Sequence, residues 1–348
     1  MSDSIRQKDE RGEWKRRLIL EHTARKMRIG ILGCGGMGRV HAKHYSKMDD
    51  VELFGFDVDE ERLAEFCKSG NVTPVKSQEE LFNQSQAIDA CLPTHLHFPV
   101  AADCIKAGKP LLLEKPMCRS LRECAELVEL SETHGVPIMV AHVVRYFAEF
   151  RKARDLVTHG TIGTPAAIRT RRGGKFPHGG TTWFAEFSKS GGILLDLLIH
   201  DFDWIRWTFG DVERIFAQSL TFSGHAGLDY ALVTLTLESG AIAHCEGSWA
   251  DPGGFRTGIE VCGSGGMIEW DSRNTQSLRT NLFGSSSTES PLSASDDPYF
   301  LQLRDFIDAV KHGKPMPVTA QDGAMAVAIA EAAIESCRSG RAVCPSKL

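Results

Sequence analysis

The sequence predicts two domains: an α/β domain with a parallel, doubly wound sheet, followed by an α+β domain with a mostly antiparallel sheet. Three observations predict this arrangement. The chain has 348 residues, which is more than one compact domain usually contains. Residues 27–144 alternate apolar strand patterns with helical patterns, as parallel sheets covered by helices on both faces do. Residues 145–348 contain short strand patterns joined by tight glycine turns, as antiparallel sheets do.

Two segments lie outside these patterns. Residues 1–26 are densely charged, and their only apolar run, residues 18–20, is too short for the core of a signal peptide. We expect an N-terminal extension without a catalytic role, so the predicted boundaries are 1–26, 27–144 and 145–348. Residues 284–298 are rich in serine and acidic residues and predict an exposed loop.

Composition excludes several classes of function. Hydrophobic residues make up 42% of the chain and charged residues 24%, which is ordinary for a globular protein. The net charge is -5, and no basic run follows residue 26, so we expect no nucleic-acid partner. No stretch reaches the roughly 20 apolar residues of a membrane helix, so we expect no membrane partner. Ten cysteines without a C-x-x-C pair indicate a reducing, cytoplasmic compartment, and His95 and His97 lack the neighbouring ligands of a metal site.

A glycine-rich turn follows the first strand pattern. Gly33, Gly35 and Gly38 have the G-x-G-x-x-G spacing. The first glycine permits a tight turn, the second lets a pyrophosphate approach the backbone, and the third lets the next helix pack on the strand. That helix starts near Gly36 and Met37, where free N–H groups attract phosphates. The turn therefore predicts a dinucleotide site.

Asp57 ends the second strand pattern. It stands at about the distance from the glycines at which a carboxylate binds the adenosine ribose. Val58 follows it, not a basic residue, and a carboxylate repels the 2'-phosphate of NADP, so the sequence favours NAD. Since ligands bind at the carboxyl ends of parallel strands, we also expect cofactor contacts from residues that follow later strands. These residues are Pro93, Thr94, His97, Glu114 and Lys115.

In the second domain, residues 192–209 predict one long helix. Asp196 and His200 are four residues apart and would lie one turn apart on the same face. A carboxylate beside an imidazole fixes its tautomer and raises its basicity, which suits a general acid or base. Burial of two ionisable residues in an apolar helix is costly, which favours a site. The alternative is a hydrogen-bonded pair that only joins the two domains.

Lys115 also has two interpretations. A lysine after an apolar strand is often a solvated charge at the strand end. At the carboxyl edge of a dinucleotide-binding sheet it could instead hydrogen-bond a substrate hydroxyl and stabilise the charge that develops on that oxygen.

These motifs together resemble the glucose-fructose oxidoreductase, inositol dehydrogenase and MocA (Gfo/Idh/MocA) family, over nearly all of residues 27–343. The resemblance implies a Rossmann domain and an α+β domain whose large open sheet often forms the oligomer interface, so we expect a homodimer or homotetramer. The motifs that carry it are the glycine turn with His41, residues 93–97, 107–109 and 114–116, and the helix with Asp196, His200, Asp201 and Asp203.

The resemblance implies that Lys115, Asp196 and His200 form the active site of an NAD-dependent dehydrogenase. A hydride would pass between nicotinamide and a secondary alcohol carbon of a sugar, sugar derivative or cyclitol. His200 would take the hydroxyl proton, Asp196 would orient His200, and Lys115 would position the same oxygen. We also expect substrate contacts from the same three residues and from Arg145, Lys175, His178 and Trp183.

Two alternative functions remain open on the sequence. One is a redox-neutral enzyme that oxidises a glycoside transiently and returns the hydride to a retained cofactor. The other is a regulator that binds the dinucleotide without turnover. The intact Lys115, Asp196 and His200 argue against a regulator, because a sensor needs no acid-base residues.

Overall fold

The computed structural model describes residues 26–69, 71–176, 182–221, 229–251, 253–274, 278–289 and 297–348. Except for Lys26, the N-terminal extension lies outside these residues. Among the described helices, none combines the length and apolar character that crossing a bilayer requires. The buried apolar side chains form one contiguous core that extends through both sheets and the helices between them.

The first domain is built on a six-stranded parallel sheet. Its strand order is β3-β2-β1-β4-β5-β6, so the order reverses at β1, as in a doubly wound sheet. Nearly every residue of its three central strands is buried, because helices cover both faces. The predicted parallel sheet is therefore confirmed. The strands are β1 (Met27–Leu32), β2 (Val51–Phe56), β3 (Val72–Pro74), β4 (Ala87–Ala90), β5 (Leu111–Leu113) and β6 (Ile138–Val140).

Five helices connect these strands, and local signals in the sequence explain several of their ends. The side chain of Ser77 caps one helix by accepting from the Glu80 N–H, and Ser120 forms a capping box with Glu123 at another. Gly135, in the left-handed region, ends the latter helix. The helices are α1 (Gly36–Tyr45), α2 (Glu60–Ser69), α3 (Gln78–Gln84), α4 (His97–Lys106) and α5 (Leu121–His134), with a short 3-10 turn at Thr94–Leu96.

The second domain contains an eight-stranded sheet in the order β14-β13-β12-β11-β7-β10-β9-β8. Only the β7–β10 pair is parallel among its described strands, which confirms the mostly antiparallel sheet. The loop predicted at 284–298 is wrong for residues 285–289, which pair with β13. The strands are β7 (Pro165–Gly173), β8 (Val212–Leu220), β9 (Tyr230–Leu237), β10 (Ile242–Ser248), β11 (Arg256–Gly263), β12 (Gly266–Asp271), β13 (Leu278–Leu282) and β14 (Ser285–Glu289).

Helices on the inner face of this sheet join the two domains. The last helix, α11, contacts β8 and two helices of the second domain, and also β6 and α5 of the first domain. Gly323 lets it approach closely, since a Cβ there would lie 2.6 Å from a methyl group of Val140. The helices are α6 (Ala148–Thr158), α7 (Phe187–Ser190), α8 (Gly192–Asp196), α9 (Ile199–Phe209), α10 (Pro298–His312) and α11 (Ala320–Ser339), with 3-10 turns at Val143–Tyr146 and Thr182–Ala185.

The single helix predicted over 192–209 is wrong, because it is interrupted between α8 and α9. At the interruption, the N–H of Leu198 bonds to the carbonyl of Ile193, five residues back, in place of the usual four. Such a π-type turn changes the angular relation of the residues before and after it. The interruption lies between Asp196 and His200, so these residues are not one regular helical turn apart.

Candidate active site

The glycine turn between β1 and α1 has the geometry of a phosphate cradle. Gly33 has φ +97°, and a Cβ there would lie 2.4 Å from the carbonyl oxygen of Cys91. A Cβ on Gly38 would lie 2.1 Å from the carbonyl oxygen of Gly33. In contrast, among the residues that the structure describes, a Cβ on Gly35 or Gly36 would meet nothing within 4 Å, and no side chain caps α1. The open space and the free N–H groups from Gly36 to Gly38, which include that of Met37, fit a dinucleotide pyrophosphate.

A cleft of about 370 Å³ adjoins this turn at the carboxyl end of β2. Asp57 lies behind it, nearly buried, and its carboxylate accepts hydrogen bonds from the N–H groups of Cys34 and Asp59, both at 2.9 Å. Arg62 lies 3.3 Å from the same carboxylate and 3.0 Å from that of Asp59. The lining residues are Cys34, Gly35, Gly36, Arg39, Asp59, Glu61, Arg62 and Glu65.

Lys115 joins the two domains at the carboxyl edge of the first sheet. It follows β5, and its Nζ donates to the backbone oxygen of Asp196 at 3.0 Å and lies 3.3 Å from Oδ1 of the same residue. Asp196 is almost fully buried at the end of α8. The structure therefore brings the predicted lysine and aspartate together, although 81 residues separate them in the sequence.

His200, near the start of α9, is the third predicted catalytic residue. Its Nδ1 is buried and has no hydrogen-bond partner among the described residues. Burial lowers the pKa of His200 well below its usual value, and the charges of Lys115 and Arg172 lower this pKa further. The imidazole is therefore neutral near neutral pH and can accept a proton.

The predicted hydrogen bond between Asp196 and His200 is not present among the described residues. The Asp196 carboxylate contacts Lys115 instead. The physical reason is the π-type turn at Leu198, which breaks the regular helical spacing of the two residues. In this structure Asp196 therefore contacts the lysine and not the imidazole.

Arg145, predicted to contact the substrate, contacts two carboxylates of the protein. Its guanidinium is buried, with Nε 2.8 Å from Asp203 Oδ2 and a terminal nitrogen 2.6 Å from Asp203 Oδ1. A further nitrogen lies 3.3 Å from Asp322 of α11. This placement argues against substrate contact, because the guanidinium is occupied by carboxylates of the second domain.

The other predicted substrate contacts have different placements. Trp183 lies in the 3-10 turn before α7, and its ring centre is 6.2 Å from that of His95, which follows β4. The second domain thus places an aromatic side chain at the carboxyl edge of the first sheet, where the cofactor is expected. Lys175 is exposed just beyond β7. His178 lies outside the described residues.

Two residues predicted to bind the cofactor are occupied by protein contacts. His97 is fully buried, with Nδ1 2.7 Å from the carbonyl oxygen of Pro116 and Nε2 2.8 Å from that of Leu92. Glu114 is also buried, and its Oε2 accepts from the Lys115 N–H at 3.0 Å. Both residues hold the loops that follow β4 and β5. Pro93 and Thr94 lie in the loop after β4, at the start of the 3-10 turn, and their contact with the cofactor stays a prediction.

Sequence reasoning assigned no role to two groups of buried polar residues near the carboxyl edge of the first sheet. His142 follows β6, lies 4.0 Å from Asp203, and has no hydrogen-bond partner on either ring nitrogen among the described residues. The sequence signal for His142 is its position two residues after β6, at the carboxyl edge of the parallel sheet. His41, Asp89 and Cys91 form the second group, in which three potential metal ligands lie close together.

The chain matches two profiles of known families. Residues 27–142 match an oxidoreductase family with an NAD-binding Rossmann fold, and residues 150–269 match the GFO/IDH/MocA C-terminal domain. A protein named myo-inositol 2-dehydrogenase, from Thermotoga maritima, is 33% identical over 91% of this chain and 98% of its own length. An inositol 2-dehydrogenase from Rhizobium meliloti is 28% identical over 91% of this chain and 98% of its own length.

Solved structures show the same two-domain fold. The crystal structure of a probable dehydrogenase from Thermotoga maritima has a TM-score of 0.79 and 29% identity, over 91% of this chain and 98% of that one. GenD2 from gentamicin A biosynthesis, solved in complex with NAD, has a TM-score of 0.83 and 26% identity, over 93% and 98% respectively.

Proposed function

The chain belongs to the Gfo/Idh/MocA family of NAD-binding oxidoreductases, and we propose that it oxidises a secondary hydroxyl carbon of a cyclitol, sugar or sugar derivative with NAD. The observation that carries this proposal is the contact of Lys115 with Asp196 beside the neutral His200, at the edge of the sheet that holds the phosphate cradle. Cyclitols are the first class to test, because the 33% identical relative is named a myo-inositol 2-dehydrogenase.

In the proposed mechanism, each of the three residues has a separate role. The neutral imidazole of His200 accepts the proton of the substrate hydroxyl. The ammonium group of Lys115 donates a hydrogen bond to the same oxygen and stabilises the negative charge that develops there. Asp196 holds Lys115 in place, in contrast to the role implied by the sequence resemblance. Bound NAD supplies the hydride acceptor.

The charges around the cleft at the carboxyl end of β2 support NAD in preference to NADP. Arg39 and Arg62 line this cleft, but each already contacts a carboxylate, Glu65 in one case and Asp57 with Asp59 in the other. Glu61 adds a further negative charge. A 2'-phosphate would therefore meet an excess of carboxylates and no free guanidinium among the residues that line the cleft.

The outer face of the second sheet supports the proposal of a homodimer or homotetramer. Phe216, Leu232 and Ile242 lie partly exposed on three neighbouring strands of this face. Beside them is a cavity of about 580 Å³ lined by ion pairs, such as Arg169 with Glu260. Apolar side chains with a polar surround are typical of protein interfaces, so we propose that a second copy of the chain packs here.

The test is the near-ultraviolet absorbance of NADH or NADPH formed with a panel of inositols, aldoses and glycosides. We expect NADH from at least one cyclitol or sugar, and little NADPH. The Lys115→Ala variant, purified in the same way, controls for contaminating dehydrogenases. Consumption of a glycoside without net NADH would support the redox-neutral alternative, and NADH binding without any turnover would support the regulator.

A further inference from the structure

A buried polar cluster lies beneath the glycine turn. Its centre is His41 of α1, which has no exposed surface. Its Nδ1 lies 2.9 Å from Oδ2 of Asp89 in β4, in hydrogen-bond geometry. Its Nε2 lies 3.3 Å from Oε1 of Glu114 after β5, within ion-pair distance but without the geometry of a hydrogen bond. The Cys91 thiol lies 3.3 Å from Asp89 and 3.4 Å from His41 Nδ1. One imidazole thus bridges two carboxylates that come from neighbouring strands.

The charges of this cluster are consistent with an imidazolium between two carboxylates. Burial alone would lower the pKa of His41, but Asp89 and its neighbours raise this pKa well above its usual value. Burial would raise the pKa of Glu114, but the contact with His41 keeps this pKa low. The ring of Tyr299 from α10 covers the cluster, with its centre 6.2 Å from that of His41.

The cluster is connected to the active site through Glu114. One carboxylate oxygen of Glu114 faces His41, and the other accepts a hydrogen bond from the backbone N–H of Lys115 at 3.0 Å. The side chain of Lys115 then reaches Asp196. A continuous set of contacts therefore runs from the helix of the phosphate cradle to the lysine.

We propose that His41 is a positioning residue for turnover: it holds the Glu114 carboxylate, which in turn fixes the backbone of Lys115 so that its ammonium group meets the substrate oxygen. The inference rests on the proposed function, because it needs Lys115 to act in turnover. A residue that only fills the core would leave the Lys115 backbone unchanged when it is replaced. Replacement of a positioning residue would instead change the Lys115 backbone.

The first experiment compares His41→Asn with His44→Asn in the full-length protein. His44 is a matched control because it lies on the same helix, is also buried and also packs on Tyr299, but contacts Asp297 and not Glu114. We expect His41→Asn to raise hydrogen–deuterium exchange in the peptide that contains the Lys115 amide. We expect His44→Asn to leave this exchange unchanged, and equal exchange in the two variants would overturn the proposal.

Turnover and cofactor binding provide a second readout. With myo-inositol, or the panel compound that is turned over, His41→Asn should lower kcat by about tenfold or more, and the Kd for NADH, from nucleotide fluorescence, should change by less than about threefold. A loss in NADH affinity as large as the loss in kcat would overturn the proposal, because His41 would then act on the cradle. If His41→Asn does not fold, Glu114→Ala keeps the His41–Asp89 pair and should show the same exchange and kinetic changes.

A double variant separates this inference from the proposed function. In a Lys115→Ala background, His41→Asn should cause no further loss of kcat, because both changes act through the same lysine. An additional loss equal to that in the native protein would overturn the inference. Full activity of Lys115→Ala alone would instead remove Lys115 from the proposed mechanism, and the exchange experiment would still decide whether His41 holds its backbone.

Metal analysis tests the competing explanation of the cluster. His41, Asp89 and Cys91 are residue types that bind zinc, and their donor atoms lie within 4.8 Å of one another. Stoichiometric zinc in the native protein that is absent from His41→Asn would overturn the proposal. Protein without stoichiometric metal, together with faster Lys115 exchange in His41→Asn, would support it.

Discussion

At the scale of single residues, Lys115 is distinguished from other lysines at strand ends by the residue that it contacts. The same strand β5 is preceded by Lys109-Pro110 and followed by Lys115-Pro116, so the local sequence is similar at both ends. Lys109 bonds to a backbone oxygen of Ser85, whereas Lys115 reaches across to Asp196 of the other domain. The position at the carboxyl edge of the sheet, and not the local sequence, distinguishes the proposed catalytic lysine.

Lys115→Ala tests this distinction. We expect kcat to fall by about 10²- to 10³-fold, because the developing charge on the substrate oxygen loses its main donor. NADH binding should be retained, and Lys109→Ala should remain active. Steady-state kinetics and a fluorescence titration with NADH measure the two effects. Equal activity of the two variants would contradict the proposed role.

The pH dependence of oxidation tests His200. The proton acceptor must be neutral, so the rate falls when the pH drops through the pKa of His200 in the free protein. Because burial, Lys115 and Arg172 lower this pKa, we expect the fall in kcat/KM below the usual value of 6.5. Reduction of the ketone by NADH needs the protonated imidazole, so the rate of reduction should rise as the pH falls through the same range. An acid limb of oxidation above 6.5 would argue against the low pKa.

At the scale of elements, the glycine turn contains positions with opposite requirements. Gly38 needs a small residue for packing, and Gly35 faces open space. We expect Gly38→Ala to destabilise the protein by about 1–3 kcal/mol, because its Cβ overlaps the Gly33 carbonyl. Gly35→Ala should leave the Tm of the protein without cofactor nearly unchanged and weaken NADH binding by about tenfold or more. Thermal unfolding and NADH titration distinguish the two, and unimpaired NADH binding by Gly35→Ala would contradict the assignment of the cradle.

The junction between the 3-10 turn Val143–Tyr146, α9 and α11 depends on Arg145. Arg145→Met should lower the free energy of unfolding by about 3–5 kcal/mol, since Asp203 would remain buried without its partner. The control Arg151→Met changes an exposed arginine of α6 and should cost less than about 0.5 kcal/mol. Urea unfolding provides the comparison. A raised KM with unchanged stability in Arg145→Met would restore the predicted substrate contact.

At the scale of the whole molecule, the candidate active site lies where the two sheets are held together by α8, α9 and α11. Lys115 comes from the first domain, and Asp196 and His200 come from the second. The candidate site thus draws its residues from both domains. The outer face of the second sheet lies on the opposite side from these helices and is available for a second copy.

Leu232→Glu tests this interface. Leu232 lies in β9, 41% exposed on the outer face and directly opposite Glu246 of β10, so a carboxylate there would be desolvated beside a like charge in a dimer. We expect the native protein to be a dimer or tetramer and Leu232→Glu to be smaller by size-exclusion chromatography with light scattering. Val58→Glu changes an exposed apolar residue of the first domain and should keep the native mass. A native monomer would refute the interface.

The sequence by itself predicted the two kinds of sheet and the glycine turn of the phosphate cradle, and its resemblance to the family implied the three candidate catalytic residues. The sheets and the glycine turn depend on patterns within a few neighbouring residues, namely strand periodicity and glycine spacing. Only the tertiary structure decided which side chains meet. Asp196 contacts Lys115, 81 residues away, and not His200, while Arg145 meets Asp322 at a separation of 177 residues. The sequence pattern cannot select such partners, because they depend on how the domains pack and on a π-type turn that no proline or glycine marks.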